Sequence, residues 1–335
     1  MKKYILLFVL SVSACWLYAG GIMTLGAPKN LGIDEQGNFY NKRPERSGGQ
    51  APAFDVLWAQ NLYPQDNALS GKGVKIAIVD SGISSHNEFN GKNITGQDFT
   101  MSGGIADLKD HGTCIAGVIG ARGDRVRGVA PEASIVVYKV DDGSTLIAPQ
   151  AVTAAINTLL DYNEKNPSDK ISVVNLSYGV LTGGFEPLSE ALRRAYAAGV
   201  VIVAPSGNVP FEGVAYPAKM SEVIAVSALN ADTSTAYANA SYGNEVDFIA
   251  PGEFVYTTSA DGGYMYMSGT SIATAFVTAS AAIAVQGLRA KLKRDPSVEE
   301  VKETLKKACL KLSEIPAKKQ GNGFIDISRL RAQFK

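Results

Sequence analysis

Tyr266-Met267-Ser268-Gly269-Thr270-Ser271 runs directly into Ile272-Ala273-Thr274-Ala275-Phe276-Val277-Thr278 and an Ala-rich continuation to Gln286. Positions 262–288 carry no charge and are long enough to cross a bilayer, so two architectures hang on them. Ala, Ser, Thr and Gly dominate where a spanning helix is richer in Leu, Ile and Phe, and the segment therefore reads as a helix buried on every side. With Ser271 at the start of that helix, its hydroxyl and backbone N–H lie at the positive end, where an anion developing on a substrate is stabilised. A core helix without chemistry fits Gly-Thr-Ser equally well, so the partners of Ser271 must decide.

The 335 residues suffice for one large domain or two ordinary ones, and 46% hydrophobic content is ample for a core. Lys+Arg and Asp+Glu both total 32, so nothing points to a nucleic acid or a charged membrane surface. Met1-Lys2-Lys3 followed by the apolar run Tyr4 to Val12 reads as a signal peptide over residues 1–19, and hence as export. Val12-Ser13-Ala14-Cys15 also fits a lipobox, in which the signal ends at Ala14 and a lipid on Cys15 is the chain's membrane contact. Ordinary cleavage near Ala19-Gly20 instead discards Cys15. Residues 20–53 are rich in Gly, Pro and charge with no sustained period, which suits a tether or short pro-segment. Cys114 and Cys309 do not make a disulfide framework, and Cys309 falls on the apolar face of a C-terminal helix with Val298, Val301, Leu305 and Ala308.

From residue 54 to 332 one domain is expected. Val74 to Val79 is almost continuously apolar, the character of a parallel strand buried on both faces. It ends on Asp80, where open α/β sheets place their sites, although a strand-end Asp is also a turn-capping residue. Strand-like runs at 134–140, 171–176, 200–204 and 222–228 alternate with helical patterns; one helix puts Val152, Ala155, Ile156, Leu159 and Leu160 on a single face. This is an α/β protein: a doubly wound, mostly parallel sheet with helices on both faces, in three layers.

The chain has two histidines, His86 and His111, both before Ser271. A His-Glu-x-x-His zinc site is excluded, as is the α/β-hydrolase order with His after Ser. A His, Asp, Ser order would usually carry Gly-Asp-Ser-Gly, which is absent, so the remaining order for an imidazole-assisted serine is Asp, His, Ser.

Asp80-Ser81-Gly82-Ile83, His111-Gly112-Thr113 and Gly269-Thr270-Ser271-Ile272-Ala273-Thr274 together resemble the three motifs of the subtilisin-like serine proteases, the subtilase family. The resemblance runs from about Phe54 to Leu330. It implies a serine endopeptidase acting on polypeptides as a monomer, with Asp80, His111 and Ser271 as the triad and Asn208 as the side-chain donor of the oxyanion hole. Ser177, Tyr178 and Gly179 would pair with an extended substrate, and Ala204, Pro205 and Ser206 would wall its first specificity pocket. His86 corresponds to a structural histidine. An acyl-transferring maturation enzyme would use the same triad, and an inactive peptide-binding relative would keep the fold. No cofactor is implied for the chemistry. Structural calcium is common in the family, but no metal ligand is assigned here: Ala121 to Arg127 is short and basic where relatives carry a longer loop, and two arginines accompany Glu88. After Ser271, Ala275-Phe276 stands where Pro-His is usual. The segment before the domain is too short for the family's usual inhibitory prodomain, which implies folding unaided or with help from elsewhere.

Overall fold

The computed structural model describes residues 31–33, 39–41 and 58–335, apart from 65–68, 144–146, 182 and 232. The signal-peptide and Cys15 readings lie outside the described residues. Within 20–53, Leu31–Ile33 (β1) and Phe39–Asn41 (β2) pair antiparallel with each other; three-residue strands are too short to register as a period.

A short helix, Trp58–Asn61 (α1), precedes Lys75–Asp80 (β3), Thr95–Asp98 (β4), His111–Gly120 (α2) and Ser134–Lys139 (β5). Pro149–Lys165 (α3), Ile171–Leu176 (β6), Glu186–Ala197 (α4), Val201–Pro205 (β7), Val223–Leu229 (β8) and Val246–Pro251 (β9) continue the alternation. A hairpin, Val255–Thr258 (β10) and Tyr264–Met267 (β11), leads into Thr270–Leu292 (α5). The chain closes with Val298–Lys307 (α6), Cys309–Leu310 (β12), Ala317–Gln320 (α7), Phe324–Ile325 (β13) and Ile327–Ala332 (α8).

Nine strands form the central sheet in the order β12-β13-β9-β8-β7-β6-β3-β5-β4, parallel throughout except for β12 with β13. Every residue of β6, β7 and β8 is buried, which is why these strands are predominantly apolar, with Ser172, Asn175 and Ser227 as their polar members. Val152, Ala155, Ile156 and Leu159 of α3 and Leu188, Ala191, Leu192 and Ala195 of α4 cover one face. The other face packs against α2 and α5, and α6 and α8 pack in turn on α5.

Helix α5 is long and apolar enough to span a membrane, yet 94% of its most apolar window is buried inside the protein. It runs without interruption past Ala275 and Phe276, as a helix lacking the early proline should. The Phe276 ring is matched by Tyr63, which follows α1, at 4.8 Å between centroids; Tyr63 in turn meets Phe324 edge-on at 5.8 Å. One expectation is corrected: Cys309 is not on the helix. α6 ends at Lys307, and Cys309 opens β12 opposite Ile325, because pairing with β13 captures the chain where the helical period would have carried on. Cys309 and Cys114 are both free thiols.

Candidate active site

Asp80 is the last residue of β3, and β6 and β7 are the next strands in the sheet. Asp80, Ser177 and the 206–208 turn therefore leave the sheet at the same carboxyl edge. His111 opens α2, and its Nδ1 lies 2.7 Å from Asp80 Oδ1. Facing a carboxylate, Nδ1 carries the proton and donates it, which leaves Nε2 as the basic nitrogen. Gly112 makes the approach feasible: a Cβ there would stand 2.1 Å from the Gly82 carbonyl oxygen and 3.2 Å from Asp80 Oδ1.

Burial opposes the charge on Asp80, but the His111 ring, the Ser177 hydroxyl and the Ser81 backbone N–H outweigh it and hold the carboxyl below its ordinary range. Burial equally opposes a charged imidazole. Asp80, with help from Asp107 and Asp141, overcomes that and raises His111 above the ordinary histidine value.

The first turn of α2 is capped from a distance. Asp110 holds the N-cap position in the left-handed region at φ 66°, and its Oδ1 accepts from Ser259 Oγ at 2.9 Å and Ala260 N at 2.7 Å instead of from its own helix. The helix N–H groups turn elsewhere, Gly112 N to Ser81 Oγ at 2.9 Å and Thr113 N to Asp107 Oδ2 at 2.8 Å. Sequence reasoning missed Asp107. It belongs to no period or quoted motif, and an Asp four residues before a helix is a weak signal when a nearer one stands beside it.

Ser271 is the second residue of α5, so its N–H is among those without an intrahelical acceptor. Gly269, just before the helix, has φ 142°, which favours glycine, and a Cβ on it would come 3.3 Å from Asn208 Nδ2. Asn208 Oδ1 accepts from Thr270 N and from Thr270 Oγ1, both at 2.8 Å. That fixes the amide with its oxygen on Thr270 and leaves Nδ2 as a donor next to the Gly269–Ser271 turn. Ser271 Oγ and His111 Nε2 are both buried and make no hydrogen bond, while their helices α5 and α2 pack against each other. Buried polar atoms are ordinarily paired; this hydroxyl, this basic nitrogen and Asp80 Oδ2 are without a partner, as is one side-chain atom each of Tyr63, Ser70, Glu88, Ser227 and Asn230.

The expected substrate segment is mostly covered. Ser177 and Tyr178 are buried, and Gly179 is half-buried. The Ser177 hydroxyl accepts from Asn175 Nδ2 at 2.9 Å and helps hold Asp80 ionised, which places it in the surroundings of the carboxylate. Asn175 Oδ1 takes a hydrogen bond from Thr278 at 3.0 Å, tying α5 to β6 behind the site. Ala204 and Pro205 end β7, and Ser206 spends its hydroxyl on the Ser241 carbonyl at 2.8 Å. His86 lies outside the cluster. Its Nδ1 accepts from Glu88 N at 3.1 Å, so Nε2 carries the proton and donates to the Gly263 carbonyl at 2.7 Å, bracing the β10–β11 hairpin.

Glu88 keeps one buried carboxylate oxygen, Oε2, without a hydrogen-bond partner. Its Oε1 accepts from the Tyr264 hydroxyl, its Oε2 is packed against Gly123, and Arg125 lies over the Tyr264 ring at 5.5 Å. Among the described residues no group of three or more His, Cys, Asp or Glu could hold a metal.

The model of the Subtilase family matches residues 71–323. The chain is 32% identical over 270 residues to the thermostable alkaline protease of Halalkalibacterium halodurans, covering 76% of this chain and 68% of that protein. It is 31% identical over 307 residues to the major intracellular serine protease of Bacillus subtilis, covering 87% and 90%. Among solved structures, the prenylagaramide maturation protease PagA superposes with a TM-score of 0.68 at 22% identity, over 83% of this chain and 98% of that one, a likeness of fold.

Proposed function

The chain belongs to the subtilase family and is a serine endopeptidase, and from that premise we propose that it cleaves polypeptides through an acyl-enzyme on Ser271. His111 Nε2 takes the proton from Ser271 Oγ as the oxygen attacks the scissile carbonyl, and returns it to the leaving amine. Asp80 holds the ring and offsets the charge it acquires. The Ser271 N–H and Asn208 Nδ2 donate to the oxyanion. Water then attacks the acyl carbonyl as His111 takes its proton; the bond to Ser271 Oγ breaks, His111 returns the proton to that oxygen, and the acid product leaves.

The observation that carries this reading is the Asp80–His111 hydrogen bond of 2.7 Å, with Nε2 on one helix and Ser271 Oγ on its neighbour both buried and unpaired. A fluorophosphonate probe should label Ser271, and Ser271→Ala should abolish both labelling and peptide cleavage. Undiminished labelling of that variant would sink the assignment. Mass analysis of a peptide-library digest tells whether water or a peptide amine resolves the acyl-enzyme, and also reads the preference of the pocket walled by residues 204–206.

The proposal extends to export, supported by the charged start and apolar run of residues 1–12. Detergent partitioning of the wild type against Cys15→Ala, with and without globomycin, tests the lipid on Cys15; identical behaviour removes it. The catalytic domain we assign to 54–332 acts as a monomer.

A further inference from the structure

We propose that Asp107 is a positioning residue for the Asp80–His111 pair, clamping the turn after Asp80 to the first turn of α2. Asp107 is 6% exposed. Oδ1 accepts from Ser81 Oγ at 2.8 Å and Lys109 N at 2.9 Å, while Oδ2 accepts from Thr113 N at 2.8 Å and Thr113 Oγ1 at 2.7 Å. Ser81 immediately follows Asp80, and Thr113 stands two residues after His111, so one carboxylate grips both chain segments that carry the pair. Ser81 Oγ also accepts from Gly112 N at 2.9 Å, which closes the connection between the two segments.

Asp107 cannot drift, because its own segment is pinned. The Ile105 carbonyl accepts from Ile83 N at 2.8 Å, and the Ala106 carbonyl accepts from the buried Lys139 ammonium at 2.7 Å. With Asp110 turned toward the β10–β11 hairpin, Asp107 supplies the negative charge that the N-terminus of α2 favours. A displacement of this cap would move His111 relative to Asp80 and Ser271 together.

The clamp also bears on basicity. The charged and titratable groups around His111 are Asp80 from β3, Asp107 and Asp110 from the loop entering α2, and Asp141 and Lys139 from β5 and its exit. Lys109 pairs with Asp141 at 3.2 Å, and Cys114 on α2 is held protonated by burial. Asp80, Asp107 and Asp141 all favour the imidazolium.

The inference rests on Asp80 and His111 being the acting pair proposed above. Asp107→Asn keeps the shape, removes the charge and turns one acceptor into a donor aimed at another donor. Rates are measured across pH per site titrated by the fluorophosphonate label. We expect kcat to fall by about 10²-fold, as for a small misplacement of a reacting group, with KM little changed. The acid limb of kcat/KM should move to lower pH, since an imidazolium with one carboxylate fewer loses its proton more readily. Wild-type kcat per titrated site would overturn the proposal, and so would a loss of kcat with the acid limb unmoved, which marks a merely structural role. Should Asp107→Asn not accumulate as folded protein, Thr113→Val removes one hydroxyl from the clamp and keeps the charge. Thr113→Val must lower kcat and Thr113→Ser, which keeps the hydroxyl, must restore it; unchanged kcat in the first or no recovery in the second overturns the proposal. Failure of the wild-type chain to label would instead count against the Ser271 assignment.

Discussion

Asn208 ends in one oxygen and one nitrogen, and the fold uses them for different purposes. The oxygen is consumed by the Thr270 N–H and hydroxyl, so the nitrogen's direction is set before any substrate arrives. Such a donor is worth most when the carbonyl oxygen has become an anion. Asn208→Ala should therefore lower kcat by about 10²–10³-fold with little change in KM, a range that comes from a subtilisin and not from this geometry. Steady-state kinetics normalised to labelled Ser271 checks it, and a rise in KM at constant kcat would assign Asn208 to ground-state binding instead. At this scale the sequence was informative where chemistry restricts residue type: only two histidines existed, and both preceded Ser271. It was silent on Thr270 as the anchor of Asn208, because their pairing spans 62 residues of chain.

Helix α5 carries Ser271 at one end, and its body decides how firmly that end is held. Phe276 is buried against Tyr63, and Thr278 is bonded to Asn175, so the helix is fixed both to the segment after α1 and to β6. Phe276→Ala would leave a cavity in this aromatic cluster and should cost about 3–5 kcal/mol of stability. Urea unfolding measures the loss. A loss under about 1 kcal/mol would mean that Tyr63 collapses into the space. The presence of α5 was legible from an uncharged small-residue run, whereas the partner of Phe276 was not, because Tyr63 lies in a stretch without a period. The misplacement of Cys309 has the same origin. Two-residue strands such as β12 are made by pairing with β13, and their own residues still carry a helical pattern.

Across the whole molecule, elements are held together by buried polar contacts as well as by the two cores, and Lys92 gives one of these a pH dependence. Its ammonium donates to the Ala133 carbonyl at 2.7 Å, joining the loop after Phe89 to the entry of β5. Burial, reinforced by Arg122 and only partly offset by Glu132, lowers its pKa to about 7. An unfolded lysine titrates near 10.4, so between about 7 and 10 the unfolded chain holds more protons and stability rises with pH. Below that window both states are protonated and the folded one bears the cost of a buried charge. The stability of the wild type relative to Lys92→Met should therefore increase as pH is raised through this window, as read from denaturation midpoints; a flat difference would mean the amine is solvated. The parallel α/β sheet, the buried helix behind Ser271 and the order Asp80, His111, Ser271 are legible in the chain, because apolar periodicity and residue chemistry are written along it. That Asp110 turns away from its own helix, that Asp107 caps it instead, and that Thr270 aims Asn208 emerge in the folded protein alone. Those outcomes depend on which hydrogen-bonding groups from distant segments meet in a buried space, where each must find a partner.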